Sequence, residues 1–334
     1  MKKKDNQTPL PLLGPISYYI PSKNGVISLS GLAKELKPVM DAELRVMRGD
    51  YSGIREFYDS ADKGGQTFLT VAHGATLGAI GLGDTKFLDR ILADLAAFPR
   101  RNGSSYAGLG VEITLTSIRL LLRAKVDCPK WMTDLEIEIV PRSWRRQVAY
   151  LLVKVFQMRG ERLAAAAMSG VLLNLCEDDA RQSAGDIYLK LMRGMLCRDE
   201  GHVEMSERWF RQVVAATRPL GIILPFLGVA MGPKSAVERA LQELAPEMLL
   251  RIKALTKPYF RNLVHLHNHY TGERITDQLS PREFYMARLL KSRRSYKEIA
   301  ACMGLAPGRV NAIVSCIYEK LGVHGRNELS GLLW

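Results

Sequence analysis

The chain has 334 residues, 47% of them apolar and 24% charged, an ordinary globular composition long enough for two domains and unlike that of a disordered polymer. A net charge of +13 favours polyanionic partners such as nucleic acid, although charge alone does not establish one. Five cysteines (Cys128, Cys176, Cys197, Cys302, Cys316) are odd in number and lack any C-x-x-C spacing, so no disulfide framework or zinc site is expected and a reducing cytoplasm fits.

Residues 1–30 read as an N-terminal tail. Met1-Lys2-Lys3-Lys4 is charged like the start of a signal peptide, but Asp5-Asn6-Gln7-Thr8-Pro9 follows in place of an apolar core. The longest apolar stretch, Gly221 to Gly232, is interrupted by Pro225 and falls short of the ~20 residues that span a bilayer. A cytoplasmic protein with no membrane partner is expected.

Residues 31–260 read as helix after helix, which sets the expected fold class as all-α. Turn signals recur: Gly49-Asp50-Tyr51 before Ile54, Tyr58 and Ala61, and Gly83-Asp84 before Leu88, Leu92 and Leu95. Gly160-Glu161 precedes Ala165, Gly201-His202 precedes Ser206 and Phe210, and a less regular unit has Trp131 and Leu135 after Val126-Asp127. In each, an apolar helix leads into the turn and an amphipathic one follows. This pattern resembles tetratricopeptide-type repeats, in which a turn glycine lets paired helices come close. Ile187 to Thr217, continued through Leu220-Gly221 and Pro225-Phe226-Leu227-Gly228, is similar to the closing repeat of regulators of the MalT type. The resemblance implies a TPR-like solenoid whose groove holds a small-molecule or protein effector. An irregular all-α domain would bury the same stripes.

Cofactor and catalytic signatures are missing. Gly78-Ala79-Ile80-Gly81-Leu82-Gly83-Asp84-Thr85-Lys86 has glycines but not the G-K-[ST] order of a phosphate loop, and reads as a helix end and turn. No G-x-S-x-G or H-E-x-x-H occurs, so neither an enzyme nor a cofactor is expected. His265, His267 and His269 step by about 200° on a helix and do not converge on a metal; a fraying helix end fits them better. Residues 261–278 are expected to form a linker.

Residues 279–334 carry the densest signals. Ser280-Pro281-Arg282-Glu283 and Ser295-Tyr296-Lys297-Glu298 are two capping-box helix starts. After Gly304-Leu305-Ala306-Pro307, the residues Val310, Ile313, Val314, Ile317 and Leu321 define one buried helical face. A fourth short helix follows from about Arg326 to Leu333. Two short helices, a glycine turn and a longer helix form the helix-turn-helix plan, whose last helix enters the major groove. Leu279 to Glu283, Ser295 to Ala300, Val310, Lys320-Leu321-Gly322-Val323 and Arg326-Asn327-Glu328-Leu329 resemble, in register, the LuxR/GerE-type domain of bacterial transcriptional regulators.

The outward face of the third helix carries Arg309, Asn311, Ala312, Ser315, Cys316 and Glu319. The resemblance implies that Asn311, Ala312 and Ser315 face base edges and that Arg309 faces the phosphate backbone. Asn311 can pair with adenine in bidentate fashion. Lys297 and Lys320, with Arg309, are placed to neutralise phosphates. The fourth helix in the family contributes to pairing on DNA, which places Asn327, Leu329 and Leu332 near a dimer contact. Departures are clear: Ala306 stands where the family carries Ser or Thr, Arg309 where it has Thr, Asn311 where it has Lys, and Ile313 where it has His. Cys316 is read as an inert small residue. Residues 270–334 hold ten Lys/Arg and six Asp/Glu, so most of the positive excess lies upstream. The expected function is a transcriptional regulator, dimeric on double-stranded DNA, with the repeat domain controlling the terminal one. A second reading is a repeat scaffold whose terminal domain serves only docking or dimerisation.

Overall fold

Apolar residues at helical spacing give helices through most of the described residues, and glycines with positive φ close several of them. The computed structural model describes residues 11–13, 22–23, 26–27, 34, 36–134, 136–159, 161–174, 185–227, 235–272, 278–291 and 293–333. Among these, extended pairing is confined to Ser22–Lys23 (β1) against Val26–Ile27 (β2), antiparallel. The expected turn residues Gly160 and Gly228, together with Leu135, Cys176 and most of the N-terminal tail, lie outside the described residues.

The upstream helices are α1 (Leu36–Met47), α2 (Ile54–Ser60), α3 (Phe68–Leu82), α4 (Thr85–Asn102), α5 (Ala107–Leu121) and a short α6 (Lys130–Thr133). They continue with α7 (Arg142–Arg159), α8 (Arg162–Asn174), α9 (Gly185–Asp199), α10 (Val203–Thr217), the short α11 (Leu224–Leu227), α12 (Ala236–Leu244) and α13 (Pro246–Thr271). Helix α3 is apolar on nearly every side and is the centre of this part, as such a composition requires. Its partners are α1, α2, α4, α5 and α13. Gly83, at φ 68°, ends α3, and the Asp84 side chain caps α4 by accepting from the Phe87 amide at 3.0 Å. The glycine-rich run is therefore a helix end and turn.

Helices α7, α8, α9, α10 and α12 pack each on the next. The α9–α10 pair shows where the close approach comes from. Gly201 takes φ 85° and an added Cβ there would meet nothing within 4 Å, so the turn glycine supplies backbone conformation only. Contact depends instead on Gly194 inside α9, where a Cβ would sit 2.8 Å from the Phe210 ring. The turn-glycine expectation is corrected in that respect. Packing also departs from neighbours-only stacking at α13, which returns to α3 and α4.

Two further expectations change. Within the tail, Leu13 is buried, the Leu12 amide donates to the Gln66 carbonyl at 2.8 Å, and Trp144 Nε1 donates to the Pro11 carbonyl at 2.9 Å. Residues 261–271, expected as linker, are the second half of α13, with Leu263, Leu266 and His267 buried. That helix does not fray: it ends at Gly272, at φ 71°, whose amide donates to the Asn268 carbonyl. The three histidines diverge. His265 is exposed, His267 Nδ1 lies 2.8 Å from the Leu122 carbonyl, and His269 Nε2 lies 2.8 Å from Asp89. Among the described residues no single helix is long and apolar enough to cross a membrane.

The terminal helices are α14 (Pro281–Lys291), α15 (Tyr296–Met303), α16 (Pro307–Leu321) and α17 (Arg326–Leu332), around a separate core of Phe284, Met286, Leu290, Ile299, Val310, Val314, Ile317 and Leu329.

Gly81 in α3 offers a test, because a Cβ there would fall 2.2 Å from the Tyr51 ring. Gly81→Ala is expected to cost roughly 1–3 kcal/mol by overpacking. Gly170→Ala in α8, with nothing within 4 Å, should gain up to about 1 kcal/mol from helix propensity. Urea unfolding of both variants checks the pair.

Candidate nucleic-acid interface

Each terminal helix begins where its local chemistry dictates. The Ser280 amide donates to Glu283 Oε2 at 2.7 Å, and the Glu283 amide donates to Ser280 Oγ at 3.3 Å. Ser295 and Glu298 form the same reciprocal box at the start of α15, at 2.6 and 3.2 Å. Gly304, at φ 61°, closes α15 by donating to the Ala300 carbonyl. The chain then enters α16 at 102° to α15, within the range of helix-turn-helix crossings. Ala306 has the extended backbone of an N-cap but no side-chain acceptor, and Pro307 follows at the first helical position.

Val310, Val314 and Ile317 are buried, while Ile313 and Leu321 are half-buried at the edges of the stripe. The opposite face of α16 presents Arg309, Asn311, Ala312, Ser315 and Glu319 to solvent, with Cys316 half-buried beside them. Its main packing partners are α14 and α15, so the polar face is not covered by the upstream helices. Lys297 is exposed near the start of α15. The structure thus brings Lys297, Arg309, Asn311, Ala312 and Ser315 to the surface of the paired helices.

Two expected site residues are placed differently. Lys320 is held by Glu283, its Nζ 2.8 and 2.9 Å from the two carboxylate oxygens, so its charge is largely spent within the domain. Leu329 is 0% exposed in the terminal core, between α17 and its neighbours, and its side chain is unavailable to a partner. Asn327 is exposed and Leu332 is 41% exposed, leaving those two of the three at the surface.

Glu283, a cap by its sequence context, also joins two helices. It caps α14, receives Lys320 from the end of α16 and accepts a hydrogen bond from Cys316 Sγ at 3.4 Å. Burial works to raise its pKa, but the hydrogen bonds from Lys320, Ser280 and Cys316 outweigh this and bring it down to about 2. The same bond to Glu283 raises the Cys316 pKa and keeps it a thiol. Sequence gave no direct signal for this triple contact, because the partners lie 33 and 37 positions away.

Upstream helices grip the domain on its far side. Phe260 of α13 meets Tyr285 edge-on at 6.3 Å between ring centroids, and His267 meets Phe284 at 5.5 Å. Arg162 at the start of α8 pairs with Glu298 at 2.9 Å. Glu298 is likewise depressed to about 2: burial opposes ionisation, while bonds from Ser295 and Arg162 prevail.

Comparison with known proteins bears on this region alone. Residues 277–332 match the family of bacterial regulatory proteins, luxR family (GerE). No curated protein and no solved structure matches the chain.

A depressed carboxylate stabilises the fold above its unfolded pKa and loses that effect as pH falls through the folded value. The Glu283 contribution should therefore be full above about pH 4.5 and fade toward about pH 2. Glu283→Gln is expected to lower the stability of the domain by on the order of 1–2 kcal/mol at pH 7 and to flatten its loss between those limits, followed by thermal melts across pH. Ala306→Ser supplies the missing cap and should raise stability by about 0.5–2 kcal/mol at pH 7.

Proposed function

We propose that the chain is a DNA-binding transcriptional regulator in which the upstream helical domain controls the terminal helix-turn-helix domain. The observation that carries this reading is the uncovered polar face of α16, standing at 102° to α15 with its apolar side buried. The luxR-family match over residues 277–332 supports it independently. In this reading Asn311, Ala312 and Ser315 meet base edges in the major groove, and Arg309 and Lys297 neutralise phosphates. Lys320 acts through Glu283, by fixing α16 against α14. Pairing of two chains on a two-fold site uses Asn327 and Leu332 on the exposed side of α17. The α7–α12 stack, with α13 behind it, is the tetratricopeptide-like part and receives the controlling effector. Cytoplasmic location follows from acting on DNA in a bacterial-type regulator.

Selection of bound fragments from random duplex DNA, followed by gel shift, tests the reading. Asn311→Ala should reduce discrimination by about 5- to 150-fold, the equivalent of 1–3 kcal/mol. Arg309→Ala should weaken all sequences alike and lower the salt slope by about 1. Recovery of no preferred sequence, with retardation indifferent to Asn311→Ala, would favour a docking module instead.

A further inference from the structure

Between the terminal domain and the helices before it lies a cleft of about 140 Å³ whose walls come from both. Arg123, Lys154 and Arg198 line it from upstream, and Arg288, Lys291 and Arg294 line it from α14 and the turn after it. Arg162, already paired with Glu298, stands among them, and among the described residues no carboxylate lines the cleft. A second cavity of about 190 Å³ shares Arg123, Lys154, Gln157, Met158 and Met195 with the first. Its further lining includes Leu77, Leu191, Tyr188 and Tyr259, so a cationic cavity stands beside a more apolar one.

Arg123 takes φ 57° as the residue that closes α5: its amide donates to the Leu120 carbonyl and the Ala124 amide to the Arg119 carbonyl. Held there, it lines both cavities, lies 5.9 Å from the Phe260 ring, and accepts a hydrogen bond on its carbonyl from Arg288 Nη1 at 3.4 Å. One feature points to a ligand: Gln147 lines the second cavity at 4% exposure, and its carboxamide oxygen meets no donor among the described residues. A buried acceptor without a donor costs about 1–3 kcal/mol, which a donor on a bound molecule would recover.

We propose that this two-chambered site binds an amphipathic organic anion, with a phosphate or carboxylate head among the cations and an apolar body inside, and that the anion fixes the terminal domain against the upstream helices. The regulatory consequence rests on the reading of the chain as a DNA-binding regulator; the binding itself does not. Lys154 fits the role: burial, with the nearby Arg123 charge, pulls its pKa down to about 8, and an anion beside it would raise that value again. Because the cations come from both parts, a single head group contacts the two together. The charge-assisted bonds it gains are the strong kind.

Calorimetry of the full chain with octyl phosphate tests the proposal. Saturable 1:1 binding is expected, at least about tenfold tighter than inorganic phosphate or octanol, since each of those lacks one half of the recognition. Arg123→Gly keeps the left-handed backbone at no steric cost while deleting the guanidinium, so it should fold and bind octyl phosphate about tenfold more weakly. Arg288→Ala, from the other wall, should do the same. Octyl phosphate should slow amide exchange in residues 285–291. No saturable binding, equal binding of inorganic phosphate, or full affinity in both variants would overturn the site; unchanged exchange would overturn the bridging role. Gel shifts without octyl phosphate report on the regulator reading separately, so either can fail while the other stands.

Discussion

Helix α13 belongs to two cores at once, and the arrangement of everything else depends on that. Met248, Leu249, Ile252, Leu263 and Leu266 are buried with the upstream helices, while Val264 packs against the terminal core and Phe260 and His267 present rings to Tyr285 and Phe284. The helix runs on past Pro258, whose ring removes one ladder hydrogen bond, and packing of its second half against both cores holds it in place. A terminal domain seated on such an element takes its orientation from the upstream core. Had residues 261–271 been a flexible connector, the two parts would sample many relative positions and the cationic cleft between them would have no fixed walls.

The seating leaves the right surface free. Contacts from α13 and Arg162 fall on α14 and on the capped start of α15, whereas the polar face of α16 points elsewhere. Glu283 then sets where that face lies, since it ties the first turn of α14 to the last turn of α16. A partly buried ion pair with several hydrogen bonds positions its partners more firmly than an exposed one. Lys320 thereby contributes to the geometry of the domain more than to its outward charge.

The terminal domain was legible because its signals are local. Ser280 with Glu283, Ser295 with Glu298, and Gly304 each fix a helix end within four residues, and the α16 stripe repeats at 3.6. What remained illegible depends on distant partners. Leu329 and Leu332 are both leucines on one short helix, and only the packing of α14 against α17 decides that the first is buried. The polar run from His265 to Thr271 reads as a helix end until Leu122 offers its carbonyl to His267 from 145 positions away. Gly194, not the turn glycine Gly201, carries the α9–α10 approach, and sequence spacing marks both equally. The interdomain cations come from α5's end, α7, α9 and α14, so no window of sequence contains them together.

The positive charge therefore divides into two physically different sets. Arg309 and Lys297 stand in water, where a Debye length of about 8 Å at physiological ionic strength screens them strongly. Lys154 and Arg294 stand in a half-enclosed cleft, where desolvation is large enough to move the Lys154 pKa and screening is weaker. Attraction of the outer set to a polyanion falls steeply with salt; attraction of the inner set to a small anion falls less. A bulky duplex cannot enter a cleft of about 140 Å³, and a small anion gains little on the open face of α16. Size and dielectric together would keep the two proposed partners, a polyanion on the open face and a small anion in the cleft, from competing.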